Sequence, residues 1–103
     1  MIFISEARYA AHLTKDVIKV FTDPNNPQRP EFAKELATVV YGDQDGFHTI
    51  IVVEVDDAKV GEYLQFIADR SLYMESRVEG LSIKVHNGLS IPDAIGRAQQ
   101  FAV

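Results

Sequence analysis

The sequence predicts an α+β fold in which one antiparallel sheet carries its main helices on a single face. Apolar residues follow strand and helix periods in the order β-α-β-β-α-β, with one more helical pattern at the end. The third strand, residues 47–55, is apolar on both sides: Thr49, Ile51, Val53 and Val55 alternate with Ile50 and Val52. Such a strand needs cover on both faces and belongs in the middle of a sheet.

The first half of the chain predicts a strand, a helix, a loop and a second strand. Residues 2–9 begin with an apolar run typical of a strand. Thr14 is the expected N-cap of the first helix, which ends at the proline-rich loop 23–30. Residues 31–37 are expected to add one or two helical turns before a strand at 38–41.

A hairpin turn at 42–46 leads into the third strand, and a second main helix follows it. Asp56 or Asp57 is expected to cap this helix, which ends between residues 70 and 76. Its buried stripe is expected to hold Val60, Tyr63, Leu64, Ile67 and Ser71.

The last part of the chain predicts an edge strand and a further helix. Residues 81–85 alternate apolar and polar side chains, and Asn87-Gly88 is expected to turn the chain. Ser90 is the expected cap of the final helix, with a close packing contact at Gly96. The apolar face of this helix is expected to hold Ile91, Ala94, Ile95, Ala98, Phe101 and Ala102.

This order is that of the ferredoxin-like split βαβ arrangement, here as a single domain over residues 1–103. Right-handed crossovers place the first and third strands in the middle of the sheet. Helices then cover one face and leave Ile50 and Val52 on the other, in a patch larger than monomers usually expose. The sequence therefore predicts a homodimer that packs two sheets face to face.

The order of elements resembles that of the dimeric α+β-barrel superfamily, in which two ferredoxin-like subunits join their sheets. The resemblance also includes the pair Gly46-Phe47 at the start of the third strand and the run Glu54-Val55-Asp56-Asp57 at the strand-to-helix junction. Among its members, the chain resembles small uncharacterised single-domain proteins. The superfamily includes cofactor-independent monooxygenases, haem-degrading enzymes, isomerases and ligand binders, so the resemblance implies a fold rather than one activity.

Composition excludes several classes of function. Acidic residues outnumber basic ones 15 to 10, which gives a net charge of −5 and argues against nucleic acid or an anionic membrane as partner. The chain has no cysteine, so it has no disulfide framework and no thiolate nucleophile. The apolar start of the chain is too short for a signal peptide or a membrane span, and we expect a cytoplasmic protein.

Five residues are candidates for a ligand site at one end of the sheet. The antiparallel first and third strands bring Arg8, Tyr9 and His12 towards Tyr41 and His48. Together they can bind and polarise a small carbonyl or phenolic compound, with His48 as the catalytic acid or base. The alternative is structural: Arg8 and Tyr41 are rim residues, and His48 caps a hairpin.

Glu54 and Glu6 form a second candidate, because neighbouring strands place two acids near each other that can share a proton or bind a cation. More commonly, a glutamate at a strand end reaches solvent or forms an ion pair. The three histidines lack the spacing of a zinc site, so we expect no metal and no cofactor.

Three functions remain open at this point. The first is a homodimer that binds a small, partly apolar molecule between sheet and helices. The second is a cofactor-independent monooxygenase or isomerase that uses His48. The third is a structural or regulatory assembly protein whose sheet faces serve only as interface.

Overall fold

The computed structural model describes residues 1–101, and it confirms an α+β fold with one antiparallel four-stranded sheet. The strands are β1 (Ile2–Tyr9), β2 (Lys34–Asp43), β3 (Gly46–Glu54) and β4 (Ser82–Gly88), in the order β2-β3-β1-β4. The helices are α1 (Thr14–Phe21), α2 (Val60–Glu75) and α3 (Ile91–Phe101), with 3-10 turns at Ala11–Leu13 and Asp57–Lys59. As the sequence predicts, β1 and β3 are central and β4 is an edge strand, which is consistent with a ferredoxin-like fold.

The core lies between the sheet and helices α1 and α2. Antiparallel pairing puts Phe3 of β1 opposite Val53 of β3, and both are buried against Tyr63 of α2. A second cluster joins Tyr9 to Val17 of α1 near the other end of the sheet. Each fully buried side chain of this size contributes roughly 1.5–3 kcal/mol to folding, which fixes the two helices on this face.

The buried stripe of α2 differs in part from the predicted one. Tyr63, Phe66 and Met74 are buried, whereas Leu64 is exposed. Tyr63, Phe66, Arg70 and Met74 follow the spacing i, i+3, i+7 and i+11, which keeps one face of the helix towards the sheet. The helix ends at Glu75, inside the predicted range.

The predicted helical turns at 31–37 are wrong, because β2 already begins at Lys34 and extends to Asp43. An irregularity in the pairing between Glu35 and Ala37 lets this long strand follow β3. A single pair of apolar residues four apart supports only a marginal helix, whereas pairing with β3 provides hydrogen bonds along the whole segment.

The remaining corrections concern turns and caps. Strand β4 continues through Asn87 and Gly88, which pair with β1 and do not turn the chain. Thr14 is not an N-cap: the 3-10 turn before it leads straight into α1, and its hydroxyl donates to the carbonyl of Ala11. Neither Asp56 nor Asp57 accepts a capping hydrogen bond with its side chain, and α2 follows a 3-10 turn instead.

The hairpin between β2 and β3 is tighter than predicted, with only Gln44 and Asp45 in the turn. Gly46 has a φ of +122°, and a Cβ atom there would lie 2.4 Å from the carbonyl oxygen of Tyr9. Only glycine fits this position without strain.

Helix α3 begins as predicted, since the backbone N–H of Asp93 donates to the hydroxyl of Ser90 at 3.2 Å. The packing expected at Gly96 is absent, because no described atom lies within 4 Å of a Cβ atom built there. Residues 91–100 are all exposed, including Ile91 at 77% and Ile95 at 54%. Ala102, assigned to the same face, lies outside the described residues. Among the helices of residues 1–101, none is long and apolar enough to cross a membrane.

Candidate functional site

The face of the sheet that α1 and α2 leave uncovered is called here the open face. Its central apolar residues are Ile4 of β1 together with Ile50 and Val52 of β3, and all three are half-buried in the single subunit. Val39 of β2 extends the patch, since it pairs with Ile50 and is 54% exposed. In the described part of the chain, no helix packs on this face.

A polar cluster at one end of the open face consists of His48, Glu6, Asp43 and Tyr41, and is called here the His48 cluster. Nδ1 of His48 lies 3.1 Å from Oε1 of Glu6, and Nε2 lies 2.9 Å from Oδ2 of Asp43. The ring of Tyr41 stacks on the imidazole, with centroids 4.6 Å apart and planes 2° from parallel. These contacts leave His48 only 7% exposed and tie β1, β2 and β3 together.

The two carboxylates favour the protonated imidazole. The hydrogen bond to Glu6 raises the pKa of His48 above its ordinary 6.5, Asp43 raises it further, and burial opposes both effects. The pKa of Asp43 is lowered, first by the backbone N–H of Asp45 and then by His48. The contact with Asp43 is close enough for an ion pair, although Nε2 does not meet hydrogen-bond geometry there. The cluster therefore links three strands through contacts that favour the charged form of His48.

The structure brings together some of the residues that the sequence singles out and separates others. Arg8 lies opposite His48 in the strand register and shares the open face, as does Tyr41. Tyr9 pairs with Phe47 and lies buried on the other face, so the sheet separates it from His48. His12 is exposed on the 3-10 turn after β1.

Neither acidic partner of His48 was predicted to lie beside it: Glu6 was a candidate only together with Glu54. Glu6 bonds to His48 and pairs with Ile50 in the register, so the predicted Glu6–Glu54 pair is wrong. Asp43 was assigned to the turn. A hairpin register that sets Tyr41 opposite His48 puts Asp43, two residues further on, within reach of the same imidazole.

A groove lies on the helix-covered side of the sheet, between α1 and strands β2 and β3, and is called here the α1 groove. Its volume is about 590 Å³. Its apolar walls include Val17 and Phe21 of α1, and Val40, Phe47 and Ile51 of the sheet. The polar side chains at its surface include those of Tyr9, Glu35 and Thr38. This groove contains neither His48 nor the residues braced around it.

A smaller cavity of about 70 Å³ lies deeper, between the sheet and α2, and is called here the arginine cavity. It shares Phe21, Thr49 and Ile51 with the α1 groove, so the two spaces meet at a common wall. Two guanidinium groups line it, those of Arg29 and Arg70. Burial lowers the pKa of Arg70, and the charge of Arg29 lowers it further.

Comparisons with known proteins add little to this geometry. The chain matches no protein-family model and no curated protein. Among solved structures, it is similar to a formyltetrahydrofolate deformylase from Pseudomonas putida, with 12% identity and a TM-score of 0.47. The likeness covers 84% of this chain and 28% of that chain, so this chain spans less than a third of the enzyme's length. A likeness of that size carries no argument about activity.

Proposed function

We propose that this protein is a homodimer that binds a small, partly apolar molecule in the α1 groove of each subunit. The observation that carries the proposal is the groove itself. Its volume of about 590 Å³ is within the usual range for small-molecule sites. Its apolar walls, with a few polar side chains at the surface, are also typical of such sites.

A second copy of the chain is the proposed cover for the open face, in the manner of a dimeric α+β barrel. Four strands of about eight residues, spaced by about 4.8 Å, present roughly 500 Å² of surface. A stable interface needs about 800 Å² from each partner. Helix α3, with Ile91 and Ile95 exposed, supplies a further apolar surface that the described residues leave unpacked. An isolated helix of 11 residues is marginal in water, so a partner surface is expected to stabilise it.

In this proposal the His48 cluster braces the dimer face. The alternative, a monooxygenase or isomerase that uses His48, has less support because neither the α1 groove nor the arginine cavity reaches this residue. The stacked ring of Tyr41 and two carboxylates also occupy the positions where a substrate would need to approach the imidazole.

Two adjacent valines of β2 provide a matched test. Val40 faces the α1 groove and is 58% exposed, whereas Val39 faces the open side and is 54% exposed. Val40→Trp is expected to fill the groove and abolish binding of the neutral fluorescent probe N-phenyl-1-naphthylamine, while the dimer persists. Val39→Trp is expected to weaken the dimer by clashing across the interface, while probe binding persists in the subunit.

Probe fluorescence and light scattering on both variants and the wild type give the two readouts. Probe binding that survives Val40→Trp unchanged would contradict the groove as the site. A dimer that binds no probe would instead favour the structural assembly protein. A wild-type protein that is monomeric at tens of micromolar would remove the dimer from the proposal.

A further inference from the structure

We infer that the molecule bound in the α1 groove is an organic carboxylate, whose anionic end is held by Arg70 and whose apolar body lies along the groove. This inference rests on the proposed function and adds to it the chemical class of the ligand.

The guanidinium group of Arg70 is held firmly but lacks an anionic partner. It lies over two aromatic rings, 5.2 Å from the centroid of Phe21 and 4.8 Å from that of Phe66. Its Nε donates to the carbonyl of Pro27 at 3.1 Å. Within residues 1–101, no carboxylate lies within the 4.0 Å of a salt bridge to this group. The fixed plane leaves the two terminal nitrogens to donate to a ligand.

The charges around the arginine cavity do not balance. Arg29 forms an ion pair with Glu35 at 3.0 Å, and this carboxylate serves one of the two guanidinium groups. Arg70 is therefore a partly buried cation with a second cation as its neighbour. A buried charge without a partner is unfavourable, and an anion brought by a ligand would compensate it.

The sizes of the two spaces agree with a ligand of two parts. The arginine cavity of about 70 Å³ has room for a group of the size of a carboxylate, since a water takes roughly 30 Å³. The α1 groove, about 590 Å³, has room for an aliphatic or aromatic body. Phe21 lines both spaces and also stacks on Arg70, so it lies where the two parts of such a ligand would join.

The test compares octanoate with 1-octanol, which share a chain length and differ in charge, by titration calorimetry on the wild type and on Arg70→Met. Octanoate is expected to bind the wild type about tenfold or more tightly than octanol, because a charge-assisted pair is lost with the alcohol. Arg70→Met is expected to abolish this preference and to leave octanol binding unchanged within about twofold. Arg70→Lys, which keeps the charge without the planar fork, is expected to retain part of the preference and serves if the methionine variant does not fold.

Arg77→Met is the matched control, because Arg77 stacks on Tyr73 at 3.6 Å and lies outside both spaces. It is expected to change neither affinity. Equal binding of octanoate and octanol to the wild type would overturn the inference and leave the α1 groove intact as an apolar site. Tight binding of inorganic phosphate in place of octanoate would also overturn it. If neither octanol nor the neutral naphthylamine probe binds the wild type, the proposed function itself is refuted.

Discussion

Charges placed in the centre of the open face provide the strongest test of the proposed dimer. Ile50 and Val52 each keep at most about a third of their surface exposed in the single subunit, so roughly 0.5 kcal/mol of transfer free energy from each remains for the interface to capture. Two-fold symmetry presents each residue twice, which gives about 2 kcal/mol for the pair. The double variant Ile50→Lys/Val52→Lys is expected to lose at least this amount, and the dissociation constant is expected to rise by about thirtyfold or more.

Sedimentation equilibrium over a wide range of concentrations measures this change, and far-UV circular dichroism checks that the subunit keeps its fold. Val40→Lys is the control, because this exposed valine lies on the opposite face of the sheet. It is expected to leave the dissociation constant unchanged. The reasoning is refuted if the double variant dimerises as tightly as the wild type while its circular dichroism is unaltered.

Three further tests concern the fold and the His48 cluster. The raised pKa of His48 means that its stabilising contribution is complete below pH 6.5 and is lost as the pH rises through the raised value. Urea unfolding from pH 5 to 8 is therefore expected to show a fall in stability that His48→Asn removes; an equal fall in the variant would contradict the ion pairs. Gly46→Ala is expected to cost more than about 2 kcal/mol because of its positive φ and close carbonyl contact. Gly61→Ala, at a position of α2 where a Cβ atom meets no neighbour, is expected to stabilise the protein by about 0.5–1 kcal/mol. Equal effects of the two glycine substitutions on thermal unfolding would refute this reasoning. Val53→Ala is expected to lower the free energy of unfolding by about 2–3 kcal/mol, against less than about 0.5 kcal/mol for the exposed Leu72→Ala. Similar losses for both would place Val53 outside the core.

Much of the candidate site follows from strand register, which the sequence predicts in part. Arg8, Tyr41 and His48 share one end of the open face because antiparallel pairing sets them opposite one another. Alternation along β1 already separates Tyr9 from Arg8, since adjacent residues of a strand point to opposite faces. The arginine cavity gives no local signal, because Arg29 comes from the loop before β2 and Arg70 from the middle of α2.

The sequence by itself determined the features that depend on local apolar periodicity. Residues 47–55 are apolar on both sides, and this pattern predicted the central position of β3 without coordinates. The edge position of β4 followed from its alternation of apolar and polar residues, and the start of α3 followed from the capping side chain of Ser90.

Tertiary structure decided the features in which distant segments compete with local preference. Residues 34–37 extend β2 because pairing with β3 provides hydrogen bonds that a short, isolated helical turn cannot match. The partners of His48 and the lack of an anionic partner for Arg70 were likewise decided by packing, since side chains from three strands meet in one case and no carboxylate of residues 1–101 reaches the guanidinium in the other. Charges are balanced through space, and their spacing along the chain does not reveal which of them lacks a partner.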